Sequence, residues 1–406
     1  MNRTTSLKTT LKKIVRIIGF IFLSSFIYIT FALFYYYKNI FVFKPDKSRH
    51  YNSELSVIYK KYDVNNNVLA EPLNNYNRNY LINLVEKNLD IHDSLKDYTL
   101  ENHDIKNHNY PLESFIIIND LAYYENAGND ELLIGHMFLK GYYIQKNFQK
   151  AFEWFKKSAE HENNFAYYFL GIIYLEGLGI ENNYDKALKW LKKSAAKDNH
   201  YAQLVIGDMY LNGTGLRQNY SEAFKWFLKS ALQGNSDAQL YIGYLYYNGY
   251  GIEQSYNEAY NWFLKSALQG NSDAQLYIGY LYFNGYGIEQ SYNEAYNWFL
   301  KSANLNNPQA QNDLGDMFLN GYGVVKDYQK ALYWYLKSSR LGNLDAHYNI
   351  GEMYFSGLGV TKDYSEASKW FKEPANYGYE WAEDKYKTAK NLEKRKKLLQ
   401  FFKSFF

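Results

Sequence analysis

Residues 231–266 read ALQGNSDAQLYIGYLYYNGYGIEQSYNEAYNWFLKS, and residues 267–302 repeat them with a single change, Phe283 for Tyr247. The step of 36 residues extends in both directions. Gly135, Gly171, Gly207, Gly243, Gly279, Gly315 and Gly351 keep it. So do Trp154, Trp190, Trp226, Trp262, Trp298, Trp334 and Trp370, and an alanine column from Ala151 to Ala367. A period of this length marks a stacked-repeat architecture, in which one unit cannot bury its apolar face without a neighbour.

Each unit reads as two helices. Asn163, Asn199, Asn235, Asn271, Asn307 and Asn343 share one slot, and asparagine is a favoured N-cap because its side chain accepts a bond from an orphan backbone N–H. Pro308 follows Asn307, where a proline at the first helical position is tolerated. The first helix, A, is expected to run to about Asn248 and to stop at Gly249-Tyr250-Gly251, glycine adopting the left-handed conformation at little cost. A second cap slot holds Asn147, Asn183, Asn219, Ser255, Ser291, Asp327 and Asp363. Ser255 with Glu258, and Ser291 with Glu294, form the S-x-x-E pattern of a capping box. Helix B is expected to end near Gly234, Gly270 and Gly342.

The core follows from the same columns. Ile242 and Tyr246 lie four apart on helix A; Tyr256, Ala259 and Phe263 share one face of helix B, and Trp262 extends it. A mid-helix glycine costs about 1 kcal/mol relative to alanine, so its recurrence implies close approach of helix A to helix B, with the alanine column supplying the matching space. The resulting fold class is all-α, a right-handed α-solenoid of about seven repeats.

The motifs A-x-x-x-x-G-x-x-Y, G-x-G, the EA or KA pair, W-[FY] and K-S-A at this spacing resemble the Sel1-like repeat family, a relative of the tetratricopeptide repeat. The resemblance spans residues 129–387 within a repeat domain assigned to 111–387. It departs from the pattern at both ends. The first unit has Gly141-Tyr142-Tyr143 in place of G-x-G. The last has Pro374 where serine is usual and Lys387 where the next glycine would fall, which predicts a capping half-repeat and an early end or kink in the last helix B. Members of the family typically act as adaptors that hold proteins together. The resemblance therefore implies a protein or peptide partner, with helix A lining the concave face.

The positions just after the repeat glycine are His136, Ile172, Asp208, Tyr244, Tyr280, Asp316 and Glu352. They vary while the packing columns do not. Asp208, Asp237, Tyr244, Asp273, Tyr280, Asp316 and Glu352 are the candidate partner-binding residues, since rigid aromatics are favoured anchors for a partner chain. Tyr247 and Phe283 either join this aromatic strip or pack between repeats. The lysine column (Lys157, Lys193, Lys229, Lys265, Lys301, Lys337) is assigned to the solvated edge of helix B.

Outside the repeats, residues 17–37 (IIGFIFLSSFIYITFALFYYY) carry no charge. At about 1.5 Å per residue they reach across a hydrocarbon core of roughly 30 Å, and are expected to form one transmembrane helix. Residues 1–16 are basic. Lysines and arginines flank the span on both sides, and the orientation taken is N-terminus in the cytoplasm with the repeats outside. Residues 38–110 form an Asn-rich linker, whose His92, His103 and His108 fit no standard metal spacing. The tail, residues 388–406, combines Lys394–Lys397 with six large apolar residues, and is expected either to cap the array or to dock on a membrane interface or a partner.

The chain has no cysteine, so disulfides, thiolate zinc sites, iron–sulfur clusters and a cysteine nucleophile are excluded. Its net charge of +3 gives no global reason to expect nucleic acid. No nucleophile elbow, P-loop or H-E-x-x-H occurs. The expectation is a single-pass membrane protein acting as an interaction scaffold, without enzyme activity, metal or cofactor. The alternatives are an architectural membrane protein that self-associates through its aromatic surface, and an accessory subunit of an envelope or protein-degradation enzyme complex.

Overall fold

The computed structural model describes residues 128–141 and 145–403. The basic segment, the expected membrane span and the linker lie outside the described residues, as does the start of the assigned repeat domain. Among the described residues there are fifteen helices and no strand, and no helix is long and apolar enough to cross a membrane.

The helices alternate A and B. The A series is α1 (Asn129–Lys140), α3 (Asn164–Glu176), α5 (His200–Asn212), α7 (Ser236–Asn248), α9 (Ser272–Asn284), α11 (Pro308–Asn320) and α13 (Leu344–Ser356). The B series is α2 (Phe148–Glu160), α4 (Tyr184–Ala195), α6 (Tyr220–Leu232), α8 (Tyr256–Leu268), α10 (Tyr292–Asn304), α12 (Tyr328–Arg340) and α14 (Tyr364–Asn376). A longer helix, α15 (Glu380–Lys403), closes the array. Each helix packs on its chain neighbours, giving an all-α solenoid of helical hairpins.

Three devices recur in closing the hairpins. At the turn, the B-cap side chain accepts from the third helical N–H, as Ser255 does from Glu258 at 3.3 Å. The cap's own N–H reaches back to helix A: Ser255 N–H donates to the Tyr246 carbonyl at 3.0 Å. The reciprocal half of the expected capping box is thus replaced, because an orphan carbonyl at the end of helix A takes the donor that Glu258 would have captured. At the open end, a helix-B serine hydroxyl donates to the first helix-A carbonyl, as Ser266 does to Ser236 at 2.7 Å.

The third device explains the repeat glycine. A Cβ on Gly243 would sit 2.5 Å from Phe263 Cδ1, inside the ring. The same clash recurs with Phe155, Leu191, Phe227, Phe299, Tyr335 and Phe371 at the other six glycines. The close approach of helix A to helix B is as expected, but a large side chain, and not the alanine column, occupies the space. This corrects the reading of the tryptophan column. Phe263 is fully buried, whereas Trp262 is half-buried, with Lys265 Nζ 4.0 Å from the ring centroid. Neighbours on a helix point about 100° apart, so only one of the pair can face the glycine. The lysine column accordingly covers tryptophan rings from Lys157 to Lys337 besides meeting solvent.

Repeat joins to repeat through the other face of the same ring. Phe227 stacks on Tyr241 at 4.7 Å and Phe263 on Tyr277 at 4.8 Å between centroids. Around this stack runs a glutamine ladder. Gln239 donates to the Ala231 carbonyl at 3.2 Å and accepts from Gln269 at 2.8 Å. The cap asparagines also serve twice: Asn271 Oδ1 caps α9 while its Nδ2 donates to Asp237 of the preceding repeat.

The C-terminal end departs from expectation in two ways. Pro374 does not shorten its helix: α14 keeps 13 residues, and what is lost is the serine bond to the helix-A carbonyl. The boundary assigned at residue 388 falls inside a helix. Helix α15 begins as an A helix, with Ala382 buried and in register with the helix-A alanines Ala238, Ala274, Ala310 and Ala346. Lys387 occupies the glycine position, and among the described residues no further helix B brings a ring against it. Glu393 stands in the column of the C-cap glycines Gly249, Gly285, Gly321 and Gly357, so nothing stops the helix, which runs on to Lys403.

Candidate partner-binding face

The column after the repeat glycine changes character along the array. His136 is buried against Phe169, 5.5 Å between centroids, and burial together with nearby Lys140 pushes its imidazole pKa down to about 3. Ile172 is fully buried. These two belong to the core. From Asp208 onward the column is half-buried. The Asp208 carboxylate accepts from Asn212 Nδ2 at 2.9 Å, and enclosure pushes its pKa up to about 6.

Tyr244 and Tyr280 are half-buried and engaged by other rings. Tyr244 meets Tyr277 of the next repeat edge-on at 6.1 Å, and Tyr280 meets Phe299 at 5.4 Å. Tyr247 and Phe283 are buried between repeats, each 8% exposed, which decides between their two readings. Asp237 and Asp273 accept from the next repeat's cap asparagines, Asn271 at 2.9 Å and Asn307 at 2.7 Å. Both therefore belong to the junctions between units as well as to the face. Glu352 is bonded to Lys385 of α15 at 2.8 Å.

The strongest polar concentration lies at Asp316 and its surroundings. Tyr280 donates its hydroxyl to Asp313 Oδ2 at 2.8 Å, and Gln309 donates to Oδ1 at 2.9 Å. Tyr335 donates to Asp316 Oδ1 at 2.6 Å. Asn349, from the following repeat, donates to Asn312 at 3.0 Å and lies 3.4 Å from Asp316 Oδ1. Burial, then the neighbouring Asp316 charge, pushes the Asp313 pKa up to about 8. Burial, then Asp345, pushes that of Asp316 up to about 7. Tyr280 and Asp316, read separately from the sequence, belong to one bonded set. Asp313, Asn312, Asn349 and Tyr335 were not anticipated. The signal was present: in this single repeat Asn312 replaces the leucine of Leu240 and Leu276, Asp313 replaces the tyrosine of Tyr241 and Tyr277, and Tyr335 replaces the phenylalanine of Phe263 and Phe299.

Among the described residues no group of three or more His, Asp or Glu side chains is placed to hold a metal ion. The bonded carboxylates are acceptors held by hydroxyl and amide donors. Such a set can recognise a donor or a cation on another chain.

Seven consecutive segments match the Sel1 repeat: residues 131–163, 164–199, 200–235, 236–271, 272–307, 308–343 and 344–373. The comparison with curated proteins gave no match. Among solved structures, the chain is similar to c5321, a protective antigen of uropathogenic Escherichia coli with an SLR fold. That likeness has 31% identity and a TM-score of 0.57, over 68% of this chain and 58% of that one. The chain thus spans little more than half the length of that antigen. A Sel1 repeat protein from Oxalobacter formigenes is 34% identical with a TM-score of 0.56, over 61% of this chain and 99% of that one. With its repeats matched over more than half of its length, the chain belongs to the Sel1 repeat family.

Proposed function

We propose that the protein is a scaffold that holds a partner protein against the helix-A face of its solenoid, and that residues 17–37 attach it to a membrane. Repeat solenoids expose extended faces suited to partner chains. The observation that carries the reading is the polar set of α11. Asp313 is buried, Asp316 is half-buried, and each is held by hydroxyl and amide donors; Asp313 stands where the five repeats before it carry Leu133, Phe169, Val205, Tyr241 and Tyr277. Burying carboxylates costs stability unless something compensates. A partner segment with a basic side chain, laid along Tyr244, Tyr280, Asp316 and Glu352, would supply that compensation. The charge-free N-terminal span supports membrane attachment, with the repeats on the non-cytoplasmic side. The resemblance to adaptor proteins supports a non-catalytic role.

The test is capture of partners by the full chain in nanodiscs, followed by titration of the captured partner against Tyr244→Ala/Tyr280→Phe. Tyr280→Phe removes the hydroxyl and keeps the ring. Binding at least tenfold weaker, with unchanged helical content, is the expected result; tyrosine hot spots of about 2 kcal/mol or more set that scale. Unchanged affinity would move the binding site off the helix-A face.

A further inference from the structure

Beyond Glu393 the last helix leaves the array. Up to that point it packs on the array: Ala382 and Ala389 are buried and Glu393 accepts from Ser365 of α14 at 3.2 Å. The last turns carry Lys394, Arg395, Lys396 and Lys397, followed by Leu398, Leu399, Phe401 and Phe402, which are 55%, 63%, 57% and 52% exposed. Scattered apolar residues on a surface need no explanation, but four within five positions beside four consecutive cations do.

Helical geometry says what this end is not. At about 100° per residue, Ala382, Ala389 and Glu393 mark one side of α15. Leu398, Leu399, Phe401 and Phe402 fill a sector of roughly 160° on the opposite side. The apolar face therefore points away from the repeats, and lengthening the cap is not its use. Gln400, on the side shared with the array, is the polar residue of this stretch. The basic residues precede the apolar face by one turn and surround the helix, so cationic side chains flank the apolar ones from either edge.

We infer that the end of α15 is a second membrane contact, which inserts Leu398, Leu399, Phe401 and Phe402 into the interface of a bilayer bearing anionic lipid. The cations would meet the lipid headgroups, each strengthening attachment about fivefold, and the apolar side chains would enter the headgroup–acyl boundary. One such signal alone gives weak, reversible attachment. A helix of this kind is effective when a separate attachment already keeps the chain at the surface, which is the role proposed above for residues 17–37. The inference rests on that reading for its strength, but not for its direction.

The absence of cysteine makes a direct test available. The full chain carrying Leu399→Cys, labelled with an environment-sensitive fluorophore, is reconstituted into vesicles of phosphatidylcholine alone or with phosphatidylserine. The expected result is blue-shifted emission, quenched by nitroxide lipids, in the phosphatidylserine vesicles and not in the others. Lys394→Gln/Arg395→Gln/Lys396→Gln should abolish it while far-ultraviolet circular dichroism stays unchanged; these three cations make none of the ion pairs of α15 among the described residues. Water-like emission in both vesicles overturns the inference, as does equal burial in both. A blue shift that grows with protein density and resists lipid-borne quenchers assigns the face to a second copy of the chain. Co-flotation with pure phosphatidylcholine vesicles separately reports whether the N-terminal attachment holds.

Discussion

The glutamine ladder is incomplete, and completing it should stabilise the protein. Gln269 donates to Gln239 at 2.8 Å, as Gln233 does to Gln203. The next rung is missing because Leu305 stands where glutamine would be, and Gln275 Oε1 is buried with no hydrogen-bond partner. Gln311 Oε1 is orphaned in the same way opposite Leu341. The backbone is ready for the substitution: Leu305 has φ −87° and ψ 19°, against −86° and 6° at Gln269. An unsatisfied buried acceptor costs about 1–3 kcal/mol. Ordering a glutamine side chain takes back up to about 1.5 kcal/mol, and Leu305 gives up part of a half-buried apolar contact. The net gain expected for Leu305→Gln is about 1 kcal/mol. The reverse change, Gln269→Leu, recreates the defect one repeat earlier and should cost about 1–2 kcal/mol. Residues 236–267 and 272–303 differ only at Tyr247 and Phe283, so the two changes test one rung in closely similar settings, apart from the flanking Leu268 and Gly270 against Asn304 and Asn306. Native-state amide exchange resolves the opening free energy of α9 and α10 separately from the rest of the array, where a single melting temperature would blur it. Equal protection in wild type, Leu305→Gln and Gln269→Leu would refute the idea that the missing rung carries energy.

Phe263→Ala should destabilise the array by about 3–5 kcal/mol, and by more than Trp262→Ala, because the phenylalanine is fully buried between Gly243 and Tyr277; paired urea titrations decide the order. Raised carboxyl pKa values in the fold mean that Asp313 and Asp316 contribute stability that is fully present below their ordinary value of 3.8 and is lost as pH climbs through about 7 and 8. Asp313→Asn/Asp316→Asn should therefore flatten the fall in melting temperature between mildly acidic and mildly alkaline pH, and parallel profiles would show that neither group titrates late. Asp198 sits at φ 58° where other repeats use Gly234, Gly270 and Gly342 with open space around the Cα. Asp198→Gly should raise stability by about 0.5–1 kcal/mol, read from thermal unfolding.

Where the chemistry is local and periodic, the sequence was a sufficient guide. The caps at Asn235 and Ser255 and the stops at Gly249 follow from which backbone groups a helix leaves unpaired, and each recurs. Where two residues compete for one place, period alone could not choose. Trp262 and Phe263 repeat with equal fidelity, and the larger side chain looked like the better core residue until the clearance over Gly243 selected the ring beside it. The Ser255 box failed for a related reason: its donor had a partner nine positions back in the chain, at Tyr246. For the binding face, the column after the glycine located Tyr280 and Asp316 but not their bonds, since their partners Asp313 and Asn349 stand in another column, three positions earlier in each unit, and reach them only when repeats stack. The three polar departures in one repeat were the legible trace of that set.

The near-identity of residues 231–266 and 267–302 has a consequence for array length. Every group that the second of these units offers to Pro308–Asn320 is also offered by the first, apart from the ring at Tyr247. Excision of residues 267–302 would bring Ser266 to Ala303 and Tyr244 to the place of Tyr280, hydroxyl facing Asp313, with the caps, the stack and the ladder unchanged in kind. Length is thus a quantity this molecule can gain or lose in whole units at a seam that is already self-complementary. What would change is the interval between Asp208 and Asp316, shortened by one repeat, so that the protein behaves as a ruler whose graduation can be altered without rebuilding its ends.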